Sequence, residues 1–193
     1  MKRLGMVLAW MALVPAVLAA DLPAGWVRAG SAPADYEMGV DTAVRHIGRA
    51  SAFLRGLDIQ KKEDGFGTLM QMADAASFRG KRVRLSAWVK SEKIDGDAWA
   101  GLWFRVDGER PQKDMLAFDN MQDRPIKGTS DWTRVSIVLD VPQEALQIGF
   151  GVLLNGKGQV WMDDLKFEVV TSDVPVTGTR RNNQGPQNLD FEE

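Results

Sequence analysis

Residues 83 to 106 contain two runs that repeat with a period of two. Val83, Leu85, Ala87 and Val89 alternate with Arg84, Ser86 and Trp88, and Ala100, Leu102, Phe104 and Val106 alternate with Trp99, Gly101, Trp103 and Arg105. Successive side chains of a strand point to opposite faces, whereas a helix repeats every 3.6 residues. Each run therefore predicts a strand that buries its aliphatic set. The opposite set lacks the Lys, Glu and Thr of an ordinary solvated face. Tryptophan beside arginine and glycine makes a platform on which a flat ligand, such as a sugar ring, can stack.

The same reading extends along the chain. Strand-like segments fall at 25–28, 36–40, 50–57, 66–72, 83–90, 99–107, 115–119, 133–141, 145–154 and 159–170, with turn signals between them. In 66–72, Phe66, Thr68, Met70 and Met72 share one face and Gly67, Leu69 and Gln71 the other. In 133–141, Thr133, Val135, Ile137 and Leu139 are expected inward; in 145–154, Ile148, Phe150 and Val152. Trp161, Leu165 and Phe167 are read as the buried side of 159–170. A short helical turn is expected at 73–78. Beyond the first twenty residues no segment of about a dozen residues keeps a helical period. About ten short alternating strands predict an all-β fold, an antiparallel β-sandwich of jelly-roll type.

The first twenty residues differ from the rest. Lys2 and Arg3 precede an apolar run from residue 4 to 14, then Pro15 and a small-residue stretch. This is the layout of a secretory signal peptide, and the run is shorter than the roughly 20 residues that span a bilayer. A periplasmic or secreted location is expected, with no membrane span in the mature chain. There is no cysteine, so neither a disulfide nor a lipidated N-terminal cysteine is available. Without Lys2 and Arg3 the 24 basic residues fall to 22 against 26 acidic ones, a formal net charge of −4. That balance argues against a nucleic-acid partner. Residues 21–170 are read as the domain. Residues 171–187, rich in Thr, Pro, Asn and Gly, are read as a linker. A small apolar motif returns at 188–193.

Several pieces together resemble the jelly-roll carbohydrate-binding-module superfamily and its galactose-binding-like relatives. They are Gly25-Trp26, Phe78 ahead of Gly80-Lys81-Arg82, and Trp161-Met-Asp163-Asp164-Leu-Lys-Phe. The stretches at 100–108 and 118–128 are similar to an accessory domain found beside erythromycin-esterase-like enzymes and some helix-turn-helix transcriptional regulators. The resemblance covers roughly residues 25 to 170. A fold of this kind carries many functions; taken with the Trp/Arg face, the reading is a non-catalytic binding module whose partner is a glycan or small molecule, or else an envelope protein meeting the same face. Such jelly rolls often open with an Asn-x-x-Phe-Glu motif before the Gly-Trp pair. Here that pattern stands at the C-terminus, as Asn188-Leu-Asp-Phe191-Glu192. The tail either returns as a first edge strand, burying Leu189 and Phe191, or frays, or is the broken start of a second module.

Three candidate sites follow. The first is the tryptophan face: Arg84, Trp88, Trp99, Trp103 and Arg105, with Gln71, Gly101, Gly149 and Gly151 placed beside it by parity. The alternative is that loops cover this face and its Trp–Arg stacks are structural. The second is the loop of Asp119, Asn120, Gln122, Asp123 and Arg124, either a polar rim or a turn bonded to itself. The third comes from the resemblance: a structural Ca2+ held by the Asp163-Asp164 pair, of which Asp164 is the candidate ligand, with Asp41 and Glu192. Calcium needs six to eight oxygen ligands, and the alternative is a solvated Asp beside a turn cap. For catalysis there is little: one histidine, His46, read as a surface residue, with Ser51 nearby, and no paired inward carboxylates.

Overall fold

The computed structural model describes residues 22–57, 65–110 and 114–180. Within them the chain forms eleven strands: β1 (Val27–Gly30), β2 (Tyr36–Asp41), β3 (Ser51–Gly56), β4 (Phe66–Asp74), β5 (Lys81–Ile94), β6 (Trp99–Asp107), β7 (Met115–Asp119), β8 (Gly128–Val141), β9 (Gln147–Asn155), β10 (Gln159–Val170) and β11 (Thr179–Arg180). Two single 3-10 turns, Pro33–Asp35 and Ala76–Phe78, are the helical elements among the described residues. None is long and apolar enough to cross a membrane.

The strands form two antiparallel sheets packed face to face. The first runs β1-β4-β9-β6-β7-β11, the second β2-β3-β10-β5-β8. This is the sandwich expected from the alternation, and the inward sets are largely those expected. Val83, Leu85, Ala87 and Val89 of β5 are buried against Ala100, Leu102, Phe104 and Val106 of β6. Phe167 of the second sheet meets Phe104 and Phe150 of the first edge to face, at centroid distances of 5.5 and 4.8 Å. Such aromatic pairs add about 0.5–1.5 kcal/mol each beyond their buried area.

Two expectations about facing are corrected. Trp161 is buried but lies on the outer side of the second sheet, where it opposes Lys90, while Val160 and Met162 point inward. The cause is an irregularity between Asp163 and Lys166, with Asp164 at φ +50°. A bulge of this kind adds a residue and reverses the alternation beyond it, so Phe167 faces inward although Trp161 does not. Gln71, placed beside the tryptophans by parity, lies on the opposite face of β4. It shares that face with Leu69, which is fully buried between the sheets.

The first part of the expected linker is bonded to the sandwich. Arg82 pairs with Asp140 through two bonds of 2.7 and 3.1 Å and donates to the carbonyls of Ser172 and Val174, both at 2.7 Å. Thr177 N–H donates to Val138 O on the edge strand β8, and β11 then adds to β7. One short segment thus joins the open edges of both sheets. The leader-like residues 1–20 and the tail motif 188–193, including Glu192, lie outside the described residues.

Candidate functional site

The tryptophan face read as one platform is two. Strands β5 and β6 follow each other in sequence but belong to different sheets. With both aliphatic sets inward, Arg84 and Trp88 point out of one side of the sandwich, and Trp99, Trp103 and Arg105 out of the other.

The side carrying Trp88 is covered. His46 stacks on Trp88 at 4.1 Å and 17°, with Trp132 tilted against it at 5.6 Å. The loop that brings His46 there is tied down by carboxylates. Asp163 Oδ2 accepts from the His46 and Ile47 N–H groups at 2.9 and 3.0 Å. Asp41 Oδ1 accepts from the Ala43 and Val44 N–H groups, and its Oδ2 takes the Trp161 indole N–H at 2.9 Å. Arg84 stands 4.0 Å from Glu168, which Arg134 also approaches. His46 is half-buried rather than a free surface residue, and Ser51 Oγ donates to Val44 O, not to the imidazole. Of the expected calcium ligands, Asp41 caps this loop and Asp164 pairs with Lys166 at 3.2 Å. Among the described residues no three His, Asp or Glu side chains are grouped to hold a metal.

Burial pushes the Asp41 carboxyl up, but the Val44 N–H, the Trp161 indole and the Ala43 N–H outweigh it and hold the group below the usual carboxylate value. A carboxyl depressed in the folded state adds stability above its unfolded value, near 3.9, and loses it as pH falls through the folded value. Melts of wild type and Asp41→Asn should therefore differ at pH 7 and converge below about pH 4. A gap that stays constant from pH 7 to 3 would show that the carboxylate does not tie this loop.

The other side holds an open groove of about 360 Å3, within the range of small-ligand sites. Strands β4, β9 and β6 lie side by side, and their registers set out transverse rows on the outer face. Phe66, Asn155 and Trp99 form the first; Thr68, Leu153 and Gly101 the second; Met70, Gly151 and Trp103 the third; Met72, Gly149 and Arg105 the fourth. Trp103 is only 6% exposed, and its ring packs beside Gly149 of β9. A Cβ on Gly149 would come within 3.3 Å of its six-membered ring, and one on Gly151 within 2.1 Å of Leu69 O. Its Nε1–H reaches Thr68 Oγ1 on β4 at 2.7 Å, and the Thr68 hydroxyl passes a bond of 2.8 Å to Val152 O. The indole forms a floor spanning three strands. Trp99, half-buried, and Phe118 line the groove with it.

Polar groups stand at its rim. Arg105 lines the groove, with Nε bonded at 2.8 Å to Asp107 Oδ2; Asp107 is wholly buried. From the expected polar loop only Asn120 lines it. A Cβ on Gly101 would lie 2.4 Å from Asn120 O, so glycine there lets the loop rest on β6. The rest of the loop largely bonds to itself. Asp119, 6% exposed, accepts from Met121 N–H at 2.8 Å, from Arg124 Nη2 at 2.6 Å and from Thr177 Oγ1. Asp123 pairs with Arg124 at 2.7 Å, and the Gln122 N–H donates to Asn120 Oδ1. Burial pulls the Arg124 guanidinium down, and Asp119 and Asp123 more than offset this, leaving it above its ordinary value. Phe66, Thr68, Met70, Leu153 and Asn155 were not among the expected site residues. The Gly149–Gly151 pair is the sequence signal that points to them.

The fold is that of the jelly-roll carbohydrate-binding modules. The chain superposes on the xylan-binding domain CBM22-1 of Paenibacillus barcinonensis Xyn10C with a TM-score of 0.51 at 16% identity, covering 80% of this chain and 91% of that one. It superposes on the CBM22-1–GH10 modules of a Clostridium thermocellum xylanase, complexed with xylohexaose, with a TM-score of 0.54 at 13% identity, over 79% of this chain and 27% of that one. By sequence it is 44% identical over 172 residues to a Bacillus subtilis protein named as the uncharacterized HTH-type transcriptional regulator YbfP. That match takes in 88% of this chain, which spans 57% of the relative's length. No family model matches the chain.

Proposed function

We propose that this chain is a non-catalytic carbohydrate-binding module that takes a glycan in the groove on the outer face of β4, β9 and β6. The observation that carries the reading is the aromatic lining of this groove of about 360 Å3, in which Trp103 packs across the sheet and half-buried Trp99 and Phe118 stand beside it. Trp99 offers a second ring face, and Asn120, Asn155 and Arg105 offer hydrogen bonds to hydroxyls. Aromatic faces with a few placed polar groups are what an amphipathic sugar ring needs. The sugar-binding modules that share this fold support the reading. The proposal places the protein in the periplasm or outside the cell, on the leader-like pattern of residues 1–20.

Titrating the protein with xylo- and galacto-oligosaccharides tests it. Trp99→Ala, which removes a half-buried ring, should weaken binding about tenfold with the fold intact, as expected for a lost stacking face. Trp88→Ala, on the covered side, should leave affinity unchanged. Sensitivity at Trp88 and not at Trp99 would move the site to the other face. No binding of any glycan would overturn the function and favour an envelope protein as the groove's partner.

A further inference from the structure

Arg105 is the one charged side chain among the described residues lining the groove. Its surroundings differ from those of three arginines that are held at both ends. Arg82, Arg110 and Arg124 each spend two guanidinium nitrogens on carboxylates. Arg105 spends only Nε, on Asp107 Oδ2. Both of its Nη groups lack a protein partner among the described residues, and the side chain is 20% exposed. Asp107 stands one row further along the same face, wholly buried, with its Oδ1 also unpartnered. The pair is therefore arranged front to back. The buried carboxylate holds the guanidinium through Nε, and the two Nη groups are left over on a side chain that lines the groove.

Resting on the carbohydrate reading above, we infer that the groove selects a sugar bearing a carboxylate, a hexuronic acid, with Arg105 as its anion contact and Asp107 as the positioning residue behind it. A guanidinium edge with two parallel N–H groups matches a planar carboxylate in a bidentate fork, and such charge-assisted bonds are about twice as strong as those to neutral hydroxyls. The spacing suits the shape of the ligand. Arg105 is two residues along β6 from Trp103, about 7 Å. A pyranose lying in the groove along β6, beside the half-buried Trp99 and the edge of Trp103, therefore comes within reach of the guanidinium with the edge that carries a uronic acid's carboxylate. Asn120 lines the groove and its Oδ1 is bonded to the Gln122 N–H, which leaves its amide nitrogen as the donor it can offer to ring hydroxyls. The Trp103 N–H is spent on Thr68 and offers the ligand no donor.

The test uses one ligand in two forms: a hexuronic-acid trisaccharide and the same trisaccharide after carboxyl reduction. Calorimetric titration of the full chain should show the acid bound about tenfold more tightly or better, with the preference shrinking as salt rises. Arg105→Lys keeps a cation beside Asp107 but loses the fork, and should lose most of that preference. Asp107→Asn frees the guanidinium plane. It should lower the acid-to-neutral affinity ratio, which general destabilisation, weakening both forms alike, would not move. Equal affinity for the two forms in wild type would overturn the inference and leave the glycan-binding reading standing. Failure of both forms to bind, alongside failure of neutral glycans, would overturn both.

Discussion

Trp103→Ala is expected to abolish glycan binding and to lower the melting temperature by roughly 10 °C. Truncating a buried aromatic costs about 3–5 kcal/mol, and each kcal/mol is worth about 2–4 °C in a domain of this size. The loss should sit at the upper end of the usual range for two reasons. The indole crosses three strands, so its removal opens the sheet surface along β9, where Gly149 and Gly151 have no side chains to fill the gap. The bond to Thr68 Oγ1 disappears with it. Trp103→Phe separates the two contributions. It keeps an aromatic floor and loses the N–H, so it should cost about 1–2 kcal/mol and retain measurable binding. Thermal melts and titration of both variants check this. If Trp103→Ala melted within 2 °C of wild type, the ring would not be packed as described.

Arg105→Gln should destabilise the domain by about 3–5 kcal/mol, although Arg105 is a partly exposed residue on an outer face. Removing one partner of a buried ion pair strands the other, and Asp107, at 0% exposure, has no second acceptor bond to fall back on. The double variant Arg105→Gln/Asp107→Asn should recover most of that loss, because a neutral amide in the same place carries no stranded charge. Denaturant unfolding of the two single variants and the double gives the coupling energy directly. Additive single effects would mean that the carboxylate is satisfied elsewhere. The contrast with Arg110 is useful. Its pair with Asp114 is 71% exposed on the arginine side, and cutting it should leave the unfolding midpoint nearly unmoved.

Most strands could be read from the sequence because burial in a sandwich imposes a two-residue period. The bounds of β6, β7 and β10 match the pattern, and the inward sets of β5, β6 and β9 are those that alternation singles out, as are Val135, Ile137 and Leu139 of β8, whereas Thr133 is exposed. Alternation assigns a face within a strand, but not a sheet. The turn between Ile94 and Trp99 is short enough for a hairpin, yet β5 pairs with β8 and β10 and β6 with β7 and β9. The chain passes from one sheet to the other, and residues that seem to share a platform face opposite ways.

The groove itself misleads the pattern. On β4 the outer set is Phe66, Thr68, Met70 and Met72, while the inner set includes Gly67 and Gln71. A face that binds a ligand with apolar groups reads as a core face. At Asp163–Lys166 a single bulge is enough to turn Trp161 outward, and only the paired aspartates hint at it, since Asp tolerates a positive φ. The polar loop had two readings, and the structure divides them by residue. Asn120 reaches the groove, and Asp119, Asp123 and Arg124 form the turn that carries it there.

The measurement that bears most directly on the central claim is the indole N–H region of a 15N NMR spectrum, followed as an oligosaccharide is added. The two tryptophan clusters lie on opposite sides of the sandwich, so each reports on its own face. The expected result is a saturable shift of Trp99 and Trp103 with Trp88 and Trp132 unmoved. Shifts confined to Trp88 and Trp132 would contradict the account.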